Sequence, residues 1–185
     1  MIILITGYKR SGKDTVASYL SYEYGFTQYA FAKPIKEISY KLFDWDPKDD
    51  EILKETIDEK YGFSRRQFWQ YFGTEWAQYQ LPAQFKEFNN KIGKNLWVEK
   101  FKNLYLKNPN ISYVISDYRF FHEYELLKQF NPFCIKVTRP SLQKNDLHES
   151  EQYIDNLYFD KEIINDGTIT DLYQKVDAII AEIIQ

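Results

Sequence analysis

The chain is predicted to fold as an α/β domain, a doubly wound parallel sheet flanked by helices. Short, continuously apolar runs recur, beginning with Ile2-Ile3-Leu4-Ile5, and read as strands buried on both faces. Helical patterns separate these runs, and strands that alternate with helices make parallel crossovers. The first run leads straight into a glycine-bearing segment, GYKRSGKDT over residues 7 to 15, and then into a helical pattern.

Each element has its own reason. Ile2 to Thr6 is the first strand. Lys13 to about Tyr24 is a helix with Val16, Ala17, Tyr19 and Leu20, stopped by Gly25. Phe26 to Phe31 reads as a second short strand. Pro34 suits the first turn of a helix that runs to about Phe43. Residues 44 to 62 are rich in Asp, Glu and Lys and read as a solvated insertion with some helix. Ser64 begins a helix through about Tyr79. Leu81 to Lys94, with Pro82 and Gly93, reads as a loop-rich connector. Asn95 to Lys107 is helical, with Leu96, Trp97, Phe101, Leu104 and Tyr105 on one side. Ile111 to Ser116 is the next buried strand, Phe121 to Phe130 a helix, and Phe133 to Thr138 a strand ending at Arg139-Pro140. Residues 141 to 152 are polar. Lys161 to Asn165 is the last strand and Ile169 to Ile184 the last helix, with Thr168 and Asp171 as a capping pair at its start.

The 185 residues fit one domain, 1–185, with both termini in regular elements. A net charge of -3 and a pI near 5.5 argue against a nucleic-acid coat, which would need a basic face. No apolar stretch approaches the roughly 18 residues of a membrane span. The glycine-bearing loop begins at residue 7 and leaves no room for a secretory leader. A cytoplasmic protein is expected. The single cysteine, Cys134, lies in an apolar run and reads as a small buried hydrophobe.

The pattern G-x-x-x-x-G-K at Gly7, Gly12 and Lys13 defines a phosphate-binding P-loop. Its glycines let backbone N–H groups face a polyphosphate, Lys13 reaches the terminal phosphates, and the following helix directs its positive end at the same anion. The position that normally holds Ser or Thr is Asp14, followed by Thr15.

In such sheets ligands sit outside the carboxyl ends of the strands. That rule collects Asp117 and Arg119 after one strand, Arg139 after the next, and Asp166 and Gly167 after the last. Asp117 is either a support for Mg²⁺ or a helix N-cap; its strand-end position beside a P-loop favours the metal. Arg119 either grips an acceptor phosphate bidentately or pairs with Glu123. Arg65 and Arg66 cannot share one helix face; either one points to a cleft and the other to solvent, or, with equal weight, both are surface charges. Trp97, on an apolar stripe, defaults to core. His122 and His148 are isolated and make no metal site. The set favours a kinase over a GTPase switch, because the Asn-Lys-x-Asp guanine reader is absent.

Taken together, the motifs resemble the phage-type deoxynucleoside monophosphate kinases, a P-loop NTPase family of nucleoside monophosphate kinase-like fold. The resemblance rests on residues 7–15, on Arg66 with Gln70, Gly73 and Thr74, and on Leu96-Trp97-Val98. It continues through Asp117-Tyr118-Arg119-Phe120 with Glu123, residues 137–140, residues 148–151 and residues 165–168. It implies ATP- and Mg²⁺-dependent transfer of the γ-phosphate to a deoxynucleoside monophosphate, in the host cytoplasm if the source is viral, and for many members a homodimer. Implied ATP contacts are Gly7, Lys9, Arg10, Ser11, Gly12, Lys13, Asp14, Thr15, Arg139, Asn165 and Gly167. Asp14, Thr15 and Asp117 would serve the metal. Ile35, Lys36, Arg66, Gly73, Thr74, Trp97, Asp117, Arg119 and Glu123 would line the acceptor site, in a helical region of about 33–108. Lys13, Arg66, Asp117, Arg119 and Arg139 would carry catalysis, and about 140–152 would form a lid. Two other readings stand. One is a P-loop kinase for another small phosphorylated acceptor, such as phosphomevalonate or dephospho-coenzyme A. The other is a non-catalytic ATP-binding protein.

Overall fold

The computed structural model describes residues 1–142 and 153–183. The chain divides into two compact units, one of residues 1–30 with 102–185 and one of residues 31–101.

The first unit is built on five parallel strands: β1 Ile2–Thr6, β2 Thr27–Tyr29, β3 Tyr113–Ile115, β4 Phe133–Thr138 and β5 Lys161–Ile164. Their spatial order is β2-β3-β1-β4-β5. In register, Ile3 lies opposite Val114 on one side and Phe133 on the other, so β1 is central. After β1 the chain crosses toward β2, and after β4 it continues outward to β5. β1 therefore stands where the winding reverses, the position from which ligand loops of doubly wound sheets project.

Helix α1, Lys13–Tyr24, covers one face of the sheet with the last helix, Ile169–Ile183. The last helix buries Leu172, Val176, Ile179 and Ile180, a helical stripe that packs with Ile3, Ile5, Val16 and Leu20. Ile2 and Leu4 point to the opposite face by strand alternation and are equally inaccessible. Gly25 ends α1 at φ 70°, donating its N–H to the Leu20 carbonyl. Thr168 and Asp171 cap the last helix as expected: the Asp171 carboxylate accepts the Thr168 N–H at 2.7 Å, and Thr168 Oγ1 accepts the Asp171 N–H at 3.2 Å. Helix Phe121–Leu127 and a turn of 3₁₀ helix, Lys128–Phe130, precede β4. Cys134 is buried on β4, and burial pushes its thiol up to about 12.

The second unit is helical: α2 Lys33–Phe43, α3 Asp50–Leu53, α4 Arg65–Gln70, a π-helix Tyr71–Gln80, α5 Leu81–Gln84, α6 Lys86–Lys91 and the start of α7 Leu96–Lys107. Four expectations need correction here. Leu81 to Lys94 is not a loop-rich connector but two short helices and a 3₁₀ turn. Pro82 sits in a first helical turn, where its missing N–H breaks no bond. The helix begun at Ser64 is α-helical only to Gln70 and then widens to π geometry. Its start does hold: Ser64 and Gln67 form a reciprocal capping box.

Residues 44–62 are more than a solvated insertion. Phe43 meets Trp45, Tyr61, Phe63 and Phe68 at ring centroid distances of 4.6, 4.9, 5.4 and 4.8 Å, which draws the segment into an aromatic cluster. Arg65, only 4% exposed, fixes it further. Its guanidinium donates to Asp50 Oδ1 at 2.7 Å and to the Asp46 carbonyl at 2.8 Å, and packs over Trp45 at 5.2 Å. Neither arginine of the pair is simply solvated, because Arg66 meets Glu55 at 3.4 Å.

No described helix is long and apolar enough to cross a membrane.

Candidate active site

The loop after β1 is shaped by close approaches. Gly7 has φ 148°, and a Cβ there would lie 2.4 Å from the Val137 carbonyl oxygen of β4. Gly12 has φ 105°, and its Cβ would lie 2.5 Å from Asn165 Nδ2. That amide donates to the Ser11 carbonyl at 2.8 Å, so the residue after β5 holds the far side of the loop. Ser11 N–H closes on the Tyr8 carbonyl at 3.0 Å, and Arg10 takes a left-handed φ of 66°.

Lys13 opens α1 and is 7% exposed; its ammonium lies 3.5 Å from the Tyr8 carbonyl, inside the loop's own curl. No side chain caps this helix end, so its first N–H groups point at the space the loop encloses. The hydroxyls of Thr6 and Ser11 are buried there without a hydrogen-bond partner among the described residues. Buried orphan donors, an ammonium and a positive helix end are the chemistry of an anion cradle.

A cleft of about 330 Å³ opens beside the loop. Arg10, Gly12, Lys13, Asp14 and Thr15 line it from the loop side, Arg139 from the end of β4, and Asn165 and Gly167 from beyond β5. Eight of the eleven expected ATP contacts thus face one cavity; Gly7, Lys9 and Ser11 do not line it. Sequence reading missed Ile169 and Leu172, which supply its apolar wall. Their only signal was position, directly after Gly167.

Asp14, one residue into α1, accepts a hydrogen bond from Ser116 Oγ at 2.8 Å. Its partner precedes Asp117, so the P-loop helix is tied to the segment that ends β3. Asp117 is not the N-cap of the next helix, since Phe120 holds that place. Arg119 and Glu123 do meet, through the backbone: the carboxylate accepts the Arg119 N–H at 2.8 Å. Asp14, Thr15 and Asp117 offer only hard oxygen donors, a set that suits Mg²⁺. Among the described residues no group of three or more His, Cys, Asp or Glu is placed to hold a metal ion.

In the helical unit, Ile35, Gly73 and Trp97 come together. A Cβ on Gly73 would lie 2.8 Å from Ile35 Cδ1, and Trp97 Nε1 donates to the Gly73 carbonyl at 3.0 Å. Trp97 is therefore half-buried and polar-anchored, more than plain core. Gly73 and Thr74 belong to the π-helix, a geometry found often at functional sites. Lys36 lies 3.4 Å from Asp50 and 4.4 Å from the Trp69 ring centre. The expected lid of about 140–152 lies, from residue 143 on, outside the described residues, as does His148.

The parallel sheet, the P-loop cradle and the strand-end arginines define a P-loop phosphotransferase. Shikimate kinase from Aquifex aeolicus shares the fold, with a TM-score of 0.54 at 15% identity, covering 98% of this chain and 97% of its own. The deoxynucleotide monophosphate kinase family model matches residues 1–59 and 46–176, and the chain belongs to that family. A protein of Acanthamoeba polyphaga mimivirus described as a putative deoxynucleotide monophosphate kinase is 32% identical over 181 residues, covering 95% of this chain and 94% of its own. The deoxynucleotide monophosphate kinase of Escherichia phage RB69 is 23% identical over 241 residues, covering 97% of this chain and 99% of its own.

Proposed function

We propose that the protein transfers the γ-phosphate of ATP to deoxynucleoside monophosphates, giving diphosphates, in the host-cell cytoplasm. The observation that supports this most is the cleft in which the P-loop, Arg139 and the Asn165–Gly167 segment converge.

Phosphoryl transfer asks the protein for alignment and charge neutralisation. Lys13 and the N–H groups at the start of α1 hold the donor's terminal phosphates. Arg139 adds positive charge on the opposite wall, and Ile169 with Leu172 gives the donor an apolar surface. Mg²⁺, when bound, lowers the charge on the phosphates, with Asp14, Thr15 and Asp117 as the residues to hold it. A guanidinium offers paired donors to a phosphate, which suits Arg119, and separately Arg66, to an acceptor phosphate. Trp97, with Ile35 and Gly73, walls the acceptor base. No general base is required, because a monophosphate oxygen is already ionised at neutral pH.

A panel of acceptors tests the reading: four deoxynucleotides, their ribose counterparts, dephospho-coenzyme A and phosphomevalonate, each with ATP and Mg²⁺. Acceptor-dependent ADP release is expected with deoxynucleotides. Turnover confined to another acceptor, or ATP binding without turnover, removes it.

A further inference from the structure

The segment from Ser116 to Phe120 must aim Asp117 and Arg119 without any regular structure of its own, since β3 ends at Ile115 and the next helix starts at Phe121. It is anchored at alternating points. Ser116 Oγ reaches Asp14 at 2.8 Å. Tyr118 is driven inward and is 1% exposed. The third anchor is Glu123, whose single oxygen Oε2 accepts the backbone N–H of Arg119 at 2.8 Å and of Phe120 at 3.0 Å.

Glu123 stands at the third position of its helix, where an acidic residue normally reaches back to the N-cap N–H while the N-cap side chain answers. Phe120 has no side-chain oxygen and cannot answer; the Glu123 N–H meets the Phe120 carbonyl at 3.1 Å instead, and the carboxylate takes the N-cap N–H. It also reaches one residue further back, to Arg119. The carboxylate is buried, with the residue 7% exposed, although an ordinary surface cap needs no burial. Burial pushes it up to about 8, while the two backbone donors oppose that rise.

We infer that Glu123 is a positioning residue, whose buried carboxylate fixes the Tyr118–Phe120 turn and through it the direction of Arg119 toward the acceptor phosphate. This replaces the direct acceptor contact that the family resemblance implies for Glu123. It rests on the proposed role of Arg119.

Substitutions separate the two roles. Gln keeps an acceptor oxygen at the same reach but cannot ionise. Ala removes the oxygen, and Asp draws it back by one methylene. Glu123→Gln should keep acceptor kcat/KM within about threefold of wild type, because a neutral amide oxygen still accepts both N–H groups. Glu123→Ala and Glu123→Asp should lower it by about a hundredfold, as expected when a reacting group is misaimed, with the KM for ATP little changed. If Glu123→Gln loses as much as Glu123→Ala, the carboxylate touches the acceptor and the inference fails. If Glu123→Ala weakens ATP and acceptor alike, its role is only structural and the inference also fails. Amide exchange gives a readout independent of Arg119's role. The Arg119 and Phe120 N–H groups should be protected in wild type and Glu123→Gln, and exposed in Glu123→Ala. Equal protection in all three overturns the inference. Arg119→Ala, measured alongside, reports on that residue's own role: acceptor kinetics unchanged there, with the exchange pattern as expected, would fault Arg119 and not Glu123.

Discussion

Ser116 donates its hydroxyl to the Asp14 carboxylate at 2.8 Å, joining residues 102 apart in the chain. The bond links the first turn of the P-loop helix to the end of β3. The irregular residue of the loop is therefore held in place by a side chain, and its negative charge lies at the positive end of α1. Asp14→Asn keeps an oxygen for Ser116 but removes the charge. It should raise the Mg²⁺ concentration for half-maximal rate by about tenfold, since a carboxylate binds that ion better than an amide. Ser116→Ala should shift the same value by only a few-fold, as loss of one hydrogen bond is worth about 1 kcal/mol. Magnesium titrations of the steady-state rate check both; an unchanged half-maximum in Asp14→Asn removes Asp14 from the metal.

The adjacent arginines should separate by assay. Arg65→Ala strips one partner from a buried pair with Asp50 and should destabilise the fold by about 3–5 kcal/mol. Arg66→Ala should change stability by under about 1 kcal/mol, because its pair with Glu55 is partly exposed, while raising the acceptor KM. Urea unfolding and acceptor kinetics on the two variants give the comparison, and the opposite pattern would reverse the assignment.

Glu123 makes stability depend on pH. Its folded-state value, pushed by burial from 4.5 up to about 8, favours the protonated form in the native protein. The contribution is fully present below about 4.5 and is lost as pH rises through about 8. Melting temperatures of wild type should fall across that window relative to Glu123→Gln, which cannot ionise. Parallel curves for the two proteins would contradict the assignment.

Gly7→Ala should prevent stable folding, because the new Cβ would meet backbone oxygen of β4 at 2.4 Å in a left-handed conformation. Gly73→Ala should be tolerated better, since its clash is with the movable end of Ile35. Soluble yield and melting temperature of the pair test this, and equal behaviour would count against it.

What the sequence made legible was local. The P-loop, its strand and its helix are contiguous, so spacing alone revealed Gly7, Gly12 and Lys13. The capping pair Thr168–Asp171 and the stop at Gly25 were legible for the same reason. Pro82 misled because a proline inside a helical pattern reads as a breaker, whereas in a first turn it is neutral. Residues 44–62 misled because their acidic face outweighed Trp45 and Tyr61, whose partners come from α2, from Phe63 and from α4. The Ser116–Asp14 bond and the apolar wall of Ile169 and Leu172 depend on strand order, which no short-range pattern encodes.

Phosphoryl transfer to a deoxynucleotide is read out by following the label from γ-labelled ATP in wild type and Lys13→Ala. Wild type should place the label on a deoxynucleoside diphosphate, and Lys13→Ala should slow that transfer by at least about a hundredfold through lost charge stabilisation. Label released only to water, absent from every deoxynucleotide, or transferred as fast without Lys13, would contradict the account.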